Sequence, residues 1–278
     1  MSDVTNTFDL EKARDVAISA SNKAAYELEK RFRTELNVQS KGYADFVTEL
    51  DHLCEEIIEE ELSTFDDSIK FMGEESTNFE VKNDELVVRV PETCWIVDPL
   101  DGTSNYSHGF QSYGVSIALR INNELSVGVV NCPSLNRCYS SIINQGSYCQ
   151  EGAGKQTKLQ VKDNGDRFNI FATSFPFRKP EYIEEHMELV KKLFTIFEDL
   201  RRVGAASLDL CWVADGTFAA FIERFLKPWD VAAGGLILKE AGGVVTDYSG
   251  DSNNWLTNGE ILATSSARVH EQIMTLLD

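Results

Sequence analysis

The strongest constraint on the fold is the segment WIVDPLDGTSNY at residues 95–106. Its first three residues form an apolar run that predicts a buried strand, and Asp98 and Asp101 stand at the end of that strand. Pro99 fixes its own φ angle and disfavours the helical region for Asp98. Gly102 permits a tight turn, and the Thr-Ser-Asn sequence that follows favours the start of a helix. The segment therefore predicts a strand, two carboxylates, a turn and a helix N-terminus in immediate succession.

This succession places carboxylate oxygens beside backbone N–H groups that the first turn of a helix leaves unpaired. Carboxylates are suitable ligands for Mg²⁺, and a helix N-terminus is a suitable site for phosphate. The segment therefore indicates metal-assisted phosphate chemistry. For these residues taken alone, an Asp-rich turn that only caps a helix remains the alternative.

The balance of charge restricts the ligands that the chain can bind. It has 45 acidic and 26 basic residues, and its net charge is −19. Binding of duplex nucleic acid through its phosphates requires Lys and Arg, so we expect no nucleic-acid partner. An anionic substrate stays compatible with this charge, because cations bound at clustered acids reverse the local sign. A phosphorylated substrate would then be held by metal ions and backbone dipoles, since basic side chains are few.

Neither a membrane segment nor a disulfide framework is indicated. No apolar run approaches the roughly 20 residues that a membrane-spanning helix needs, and the first residues lack the features of a secretory signal. The six cysteines are scattered without a CxxC motif, so a zinc site is not indicated either. We therefore expect a cytoplasmic protein with no membrane partner.

The order of helix and strand patterns predicts one mixed unit of α and β structure. Asp9 can cap a first helix that continues to about residue 33, and a second helix has Asp51 in its first turn. Residues 77–90 form a polar insert with a short strand at 86–90. A meander of antiparallel strands is predicted at residues 113–121, 125–130 and 137–143.

The second half of the chain continues with alternating helices and strands. Pro180 begins a helix to about residue 197, and its predicted inward face contains Ile183, Met187, Val190, Phe194 and Phe197. Pro228 and Asp230 mark the start of another helix, which a Gly-Gly pair at 242–243 ends. Because no linker or repeat divides the chain, we expect a single catalytic domain at 1–278 with two intimate lobes, roughly 1–165 and 166–278.

Acidic residues from other segments are candidates for the same site. Glu74 follows a short strand at residues 69–72, and Asp230 and Asp51 lie at helix starts. Taken singly, Glu74 is typical of a surface turn and Asp51 of a helix start, where the dipole favours an acid. Together with Asp98 and Asp101 they form a set of potential metal ligands that offers only oxygen atoms, and Mg²⁺ prefers oxygen ligands. No GxSxG motif and no pair of histidines at helical spacing is present, so covalent catalysis and a zinc hydrolase lack support.

Four segments in order resemble those of the inositol monophosphatase family. WIVDPLDGTSNY at 95–106 is similar to the first signature of the family. WDVAAG at 229–234 together with EAGG at 240–243 is similar to the second. GEES at 73–76 and DFVT at 45–48, followed by Asp51, also fit the family in order and distance. The resemblance covers nearly the whole chain.

The resemblance implies a Mg²⁺-dependent phosphomonoesterase that Li⁺ commonly inhibits, with two to three metal ions per site. The implied fold is a five-layered αβαβα sandwich of the sugar-phosphatase type, usually a homodimer. By the family pattern, Glu74, Asp98 and the Leu100 carbonyl would bind the first Mg²⁺. Asp98, Asp101 and Asp230 would bind the second, and Glu74 would help to hold a weaker third.

The family pattern also assigns residues to the water and the substrate. Asp51 and Thr103 would orient and activate the attacking water, and the backbone N–H groups of Gly102 and Thr103 would receive the phosphate. Glu223 matches a position that contacts sugar-like hydroxyls. Further matches are Lys41, near the third metal, and the substrate-lining residues Gly204, Ala205 and Ala206.

The implied reaction is hydrolysis of a small sugar or polyol phosphate, with myo-inositol 1-phosphate as the leading substrate. The segment SNYSHGF at 104–110 favours this reading over nucleotide bisphosphates. Fructose 1,6-bisphosphate is the strongest alternative, followed by histidinol phosphate and 3′-phosphoadenosine 5′-phosphate. A non-catalytic metal-binding protein would be an alternative of a different class. A non-catalytic protein would be expected to lack a metal ligand or one residue of the water-activating pair. In this sequence all the matching ligands and both residues of the pair are present.

Overall fold

The structure, a computed structural model, describes residues 8–34, 38–42, 45–77, 80–82, 85–87, 89–161 and 169–277. The helices in these ranges are α1 Leu10–Arg31, α2 Glu49–Ser63, α3 Thr103–Ser107, α4 Ile183–Leu193, α5 Ala206–Ala214, α6 Pro228–Glu240 and α7 Ala267–Leu277. As predicted, Asp9 caps α1, because its Oδ1 accepts a hydrogen bond of 3.0 Å from the N–H of Lys12. No helix among the residues described is long and apolar enough to cross a membrane.

The strands of the first half form one large sheet and two small ladders. The strands are β1 Val38–Gly42, β2 Asp45–Thr48, β3 Lys70–Gly73, β4 Glu80–Lys82, β5 Glu85–Val87, β6 Cys94–Asp101, β7 Gly114–Ile121, β8 Glu124–Cys132, β9 Arg137–Ile142, β10 Gly146–Glu151 and β11 Thr157–Lys158. The large sheet has the order β11-β10-β9-β8-β7-β6-β3. Its meander is antiparallel, and only β3 runs parallel to its neighbour β6. The predicted meander is thus confirmed, with β10 and β11 added at one edge.

The second half forms a smaller sheet. Its strands are β12 Ile170–Thr173, β13 Asp199–Arg201, β14 Ala220–Arg224, β15 Val244–Thr246 and β16 Glu260–Thr264, in the order β13-β12-β14-β16-β15. β12 runs parallel to both β13 and β14, whereas β16 is antiparallel to its neighbours. The carboxyl ends of β12, β13 and β14 therefore lie at the same edge of this sheet, where the segments that follow them can meet.

The two sheets and their helices form five layers. α1 and α2 cover one face of the large sheet, and α5 and α6 pack between the two sheets. α4 and α7 cover the outer face of the small sheet. Three apolar clusters fill the spaces between these layers. The five-layered αβαβα sandwich that the sequence resemblance implies is therefore confirmed.

Strand β6 is buried along its whole length because helices cover both of its faces. Trp95 and Val97 belong to the apolar cluster beneath α1 and α2, whereas Cys94 and Ile96 belong to the cluster around α5 and α6. Side chains alternate between the two faces of a strand, so a strand between two helical layers reads as an uninterrupted apolar run. This burial explains why the run stands out in the sequence.

The predicted inward face of α4 is wrong. Val190 and Phe197 are buried as expected, but Ile183, Met187 and Phe194 are exposed. His186 and Leu193 are buried in their place. The helix is thus rotated by about one residue, so that its buried stripe advances in steps of three and four from His186. In the polar insert, the strand predicted at 86–90 is β5, which pairs with β4 as a hairpin.

Candidate active site

The predicted site residues meet in one cavity of about 310 Å³. It lies where the end of β6 meets α3, and where the central helices α5 and α6 and strand β14 of the small sheet approach that end. The cavity is lined by Glu74, Asp98, Leu100, Asp101, Gly102, Thr103, Gly204, Ala205, Ala206, Glu223 and Asp230. Asp51 is buried just behind this lining and is hydrogen-bonded to Thr103. The side chain of Lys41 lies outside the described part of the chain.

Hydrogen bonds from the protein fix one oxygen of each aspartate in the cavity. Oδ1 of Asp98 accepts from the N–H of Leu100 at 2.9 Å, where Pro99 interrupts the pairing of β6 with β7. Oδ2 of Asp101 accepts from the N–H of Ser207 at 2.8 Å and from its hydroxyl at 2.5 Å. Oδ2 of Asp230 accepts from the N–H of Lys227 at 2.6 Å. These bonds hold the carboxylates in fixed orientations at the cavity.

The carboxylates strongly perturb one another. Burial raises the pKa of Asp98 well above its ordinary value, and the charges of Glu74, Asp101 and Asp230 raise it further. Burial also raises the pKa of Asp101, against the hydrogen bonds from Ser207. The pKa of Asp230 rises to about 7, mainly through burial and then through the charge of Asp101. A cluster of this kind carries negative charge that a bound cation would stabilise.

The groups that line the cavity are of the kind that bind Mg²⁺. They include the carboxylates of Glu74, Asp98, Asp101 and Asp230 together with the carbonyl oxygen of Leu100, and hard divalent cations prefer such oxygen ligands. In the described part of the chain, no three acidic, histidine or cysteine side chains are close enough together to bind a metal ion as they stand. The residues thus fit Mg²⁺ by their chemistry and their common cavity.

Asp51 and Thr103 form a pair at the edge of the cavity. Thr103 Oγ1 lies 3.0 Å from Asp51 Oδ1 and 3.0 Å from the carbonyl oxygen of Leu100. The other oxygen of Asp51 accepts hydrogen bonds from the N–H of Thr48 at 2.8 Å and from its hydroxyl at 2.6 Å. Asp51 is thus both the capping-box residue of α2 and the partner of Thr103. The role of Asp51 as the cap of α2 is therefore compatible with the predicted catalytic role.

Gly102 turns the chain sharply between β6 and α3. Its φ angle is +87°, and a Cβ atom at this position would lie only 2.8 Å from the carbonyl oxygen of Ser112. Glycine is therefore required for two separate reasons, the backbone angle and the lack of space. The turn directs the first N–H groups of α3, which a helix leaves unpaired, towards the end of the strand.

Asn105 joins the two halves of the site, and the sequence did not indicate this role. Its Nδ2 donates to the carbonyl oxygens of Ser112 at 2.7 Å and Val203 at 2.9 Å. The second bond connects α3 to the segment before α5, which contributes Gly204 to the cavity. Asn105 therefore ties α3 to the stretch before α5 that lines the cavity.

Two arginines in the cavity were not predicted. Arg178 and Arg202 both line it, together with Ser174, Phe177 and Leu226. We expected metal ions and backbone dipoles to hold a phosphorylated substrate because basic side chains are few in the chain, and these two arginines add basic side chains to the cavity. Arg178 follows β12 and Arg202 follows β13, and these strands are parallel neighbours. The sequence does show a basic residue after each of these two strands. Predicting that both arginines reach the same cavity would have required knowing that the strands are neighbours.

Asp209, which is buried, and Glu223, which is half-buried, add two further carboxyl groups near the cavity. The pKa of Glu223 rises to about 8, chiefly through burial and then through the charge of Asp230. Burial also raises the pKa of Asp209 well above its ordinary value, and its Oδ1 has no hydrogen-bond partner among the residues that the structure describes. The positive charge of Arg202 opposes both shifts, so this arginine lies within electrostatic reach of both carboxyls.

The five-layered fold defines the class of the protein, which is a phosphomonoesterase. Its pocket lies where the two sheets and the central helices meet. The chain belongs to the inositol monophosphatase family, whose sequence model matches residues 9–278.

Similar proteins and structures agree with this assignment. The chain is 35% identical over 263 residues to "Nus factor SuhB" of Haemophilus influenzae, covering 93% of both chains. It is 34% identical over 266 residues to the protein of that name from Escherichia coli, covering 95% of both. The structure of the suhB protein of Bartonella henselae superposes with a TM-score of 0.83 at 29% identity, covering 95% of this chain and 97% of that one. The Thermotoga maritima IMPase gives a TM-score of 0.80 at 27% identity, covering 95% of both.

Proposed function

We propose that this protein catalyses the Mg²⁺-dependent hydrolysis of a small polyol or sugar phosphate monoester, with myo-inositol 1-phosphate as substrate. One observation carries the proposal: a single cavity is lined by the acidic oxygen ligands and by the start of α3, with the Asp51–Thr103 pair at its edge. The bacterial relatives are named as Nus factors. We propose hydrolysis for this chain because the residues lining its cavity are those that a phosphatase requires.

The carboxylates supply the metal ligands in this proposal. Glu74, Asp98 and the carbonyl of Leu100 would hold one Mg²⁺, and Asp98, Asp101 and Asp230 a second. Glu74 would contribute to a weaker third. Bound Mg²⁺ supplies Lewis acidity, which makes a water more acidic and stabilises the charge on the phosphate and the leaving oxygen.

Thr103 and Asp51 handle the proton of the attacking water. When the Thr103 hydroxyl donates to Asp51, its oxygen is available to accept a proton from a water at the cavity wall. The proton can then pass from the water to Thr103 as the threonine proton moves to Asp51. The two bonds from Thr48 hold the Asp51 carboxylate in place for this transfer.

The phosphate and the polyol occupy different walls of the cavity. The N–H groups of Gly102 and Thr103 at the start of α3 would bind phosphate oxygens, since helix N-termini stabilise anions. Glu223 reaches the cavity from β14 and would accept hydrogen bonds from the hydroxyl groups of the polyol. Gly204, Ala205 and Ala206 form another part of the cavity wall, and Asn105 bonds to the carbonyl oxygens of Val203 and Gly204.

The test is release of phosphate from myo-inositol 1-phosphate in the presence of Mg²⁺, with and without Li⁺. We expect activity that chelation abolishes and that Asp98→Asn reduces at least a hundredfold, because this change removes a ligand charge shared by two metals. Asp199→Asn, on the exposed edge of the small sheet, is the matched control and should retain activity. Undiminished activity of Asp98→Asn would refute the metal assignment, and the absence of activity on a panel of phosphomonoesters would refute the function.

A further inference from the structure

Three neighbouring strands of the small sheet each contribute a side chain to the active-site cavity. Arg202 directly follows β13, Phe177 belongs to the segment after β12, and Glu223 lies near the end of β14. The strands are parallel and stand in the order β13-β12-β14, so their carboxyl ends share one edge of the sheet. A cation, an aromatic ring and a carboxyl group therefore reach the cavity from the same edge.

The guanidinium of Arg202 is held in place without being neutralised. It lies 5.6 Å from the ring centroid of Phe177, and its Nη1 is so close to Gly204 that a Cβ atom at this glycine would collide with it. In the parts of the chain that the structure describes, no carboxylate forms an ion pair with Arg202, whereas its neighbour Arg201 is paired with Asp199 at 2.6 Å. A ring and a glycine position a cation but leave its charge and its N–H groups available to a ligand.

Glu223 offers the opposite hydrogen-bonding character. Its carboxyl group is half-buried, and the side chain of Ser174, which also lines the cavity, hydrogen-bonds to it. Arg202 lies within electrostatic reach of Glu223, but the two do not form an ion pair with each other. A guanidinium only donates hydrogen bonds and an ionised carboxylate only accepts them, whereas a hydroxyl group does both. One hydroxyl can therefore accept a bond from Arg202 and donate one to Glu223.

We propose that Arg202 is a specificity-determining residue whose guanidinium donates hydrogen bonds to hydroxyl groups of the substrate, and that the same hydroxyls donate to Glu223. The ring of Phe177 holds the guanidinium in the orientation that this contact requires. Because a guanidinium is a planar fork, it can reach two neighbouring oxygens at once, so the site selects phosphomonoesters of alcohols with adjacent hydroxyls. The inference rests on the proposed function, since the reactive phosphate must lie at the metal ligands.

The experiment compares two phosphomonoesters that share a six-membered carbon ring, myo-inositol 1-phosphate and cyclohexyl phosphate, of which the second lacks the free hydroxyl groups. In Arg202→Gln, kcat/KM for the inositol phosphate should fall about tenfold, the size of a charge-assisted hydrogen bond. The value for cyclohexyl phosphate should stay close to that of the wild type. Arg202 is exposed, so this substitution should leave the fold intact. Arg201→Gln removes the adjacent arginine, which does not line the cavity, and should leave both values unchanged.

A double variant tests whether Arg202 and Glu223 contact the same hydroxyl groups. Side chains that share a partner have effects that are not additive in free energy. The variant with both Arg202→Gln and Glu223→Gln should therefore lose less activity on myo-inositol 1-phosphate than the product of the two single losses. Losses that simply multiply would show that the two side chains act on separate groups, and this would overturn the shared contact.

The remaining outcomes also decide the matter. An unchanged kcat/KM for myo-inositol 1-phosphate in Arg202→Gln would overturn the proposal. So would an equal loss for both substrates, which would assign Arg202 to the phosphate or to a structural role. If the wild-type protein hydrolyses neither compound, the proposed function fails, and calorimetric binding with Mg²⁺ then tests Arg202 separately. Weaker binding of myo-inositol 1-phosphate but not of inorganic phosphate in Arg202→Gln would support the contact, and any other pattern would overturn it.

Discussion

The hydroxyl of Thr103 and the carboxylate of Asp51 are joined by a hydrogen bond of 3.0 Å, although 52 residues separate them in the chain. The bond connects the first residue of α3, which follows β6 of the large sheet, with the first turn of α2 in the outer helical layer. Asp51 is buried, and its second oxygen is held by Thr48. A helix cap of this kind thus delivers a fixed proton acceptor to the edge of the active-site cavity.

This pair gives the first prediction, for Asp51→Asn. An amide cannot accept the proton from Thr103, so kcat should fall about 10²–10⁴-fold, the usual contribution of a general base. Mg²⁺ affinity should remain close to that of the wild type, because the proposed ligands are unchanged. Steady-state kinetics and calorimetric titration with Mg²⁺ measure the two quantities. Asp67→Asn, at an exposed position, is the control. A large loss of Mg²⁺ affinity would instead place Asp51 among the metal ligands.

The second prediction concerns Ser207, which holds Asp101 through both its N–H and its hydroxyl. Ser207→Ala removes the hydroxyl, so Asp101 gains rotational freedom and the site loses preorganisation. Loss of a residue that orients a metal ligand typically weakens binding 10–100-fold, and we expect about tenfold for Mg²⁺. The Mg²⁺ dependence of phosphate release measures the effect.

Ser126→Ala is the matched control for Ser207→Ala, because it removes another buried hydroxyl that bonds only to the carbonyl of Glu124 in the same strand. Its Mg²⁺ dependence should equal that of the wild type. Equal shifts in both variants would show that the effect is one of general stability rather than of ligand orientation.

Local sequence was sufficient to predict β6, the Gly102 turn and the start of α3, because strand, breaker and helix start are adjacent in the chain. The positions of Arg178 and Arg202 could not be predicted in this way. They meet only because β12 and β13 are parallel neighbours, and strand order is a property of tertiary packing. The prediction of the inward face of α4 was wrong for a related reason. Its outer side carries apolar residues, so hydrophobic pattern alone could not decide which side contacts the sheet.

The third prediction separates the two constraints on Gly102. Gly102→Ala requires an alanine at a φ of +87° and brings its Cβ to 2.8 Å from the carbonyl oxygen of Ser112. The angle alone costs about 1–2 kcal/mol in the free energy of unfolding, and the backbone contact adds to it. Because the turn also directs the N–H groups of α3, phosphatase activity should fall more than tenfold, which corresponds to about 1.4 kcal/mol of transition-state stabilisation.

Gly250 provides the control, since its φ is +84° but a Cβ there would meet only Met274 Cε at 3.4 Å. The free energy of unfolding of Gly250→Ala should therefore fall only by the cost of the backbone angle, and this variant should keep its activity. Chemical denaturation and kinetics on both variants test the comparison. Equal destabilisation of the two would mean that the contact with Ser112 relaxes without cost.

The last prediction concerns the pH dependence of stability and rests on His186. The ring is buried on α4, with Nε2 3.3 Å from the Thr173 hydroxyl, and that hydroxyl donates to the carbonyl of Ile222. Burial lowers the pKa of His186 below its ordinary value, the charge of Arg224 lowers it further, and Glu185 opposes the shift. The folded protein therefore keeps the ring neutral at a pH where the unfolded chain protonates it.

The free energy of unfolding should consequently fall as the pH drops below about 6.5, the value for an unfolded histidine, with a slope of at most about 1.4 kcal/mol per pH unit from this group. His186→Gln keeps a donor for Thr173 but cannot take up a proton, so the slope between about pH 6.5 and 5 should decrease. His270, whose pKa burial also lowers, contributes a separate share that His270→Gln should remove. Urea denaturation at a series of pH values measures these slopes, and an unchanged slope in His186→Gln would show that the ring accepts a proton in the folded state.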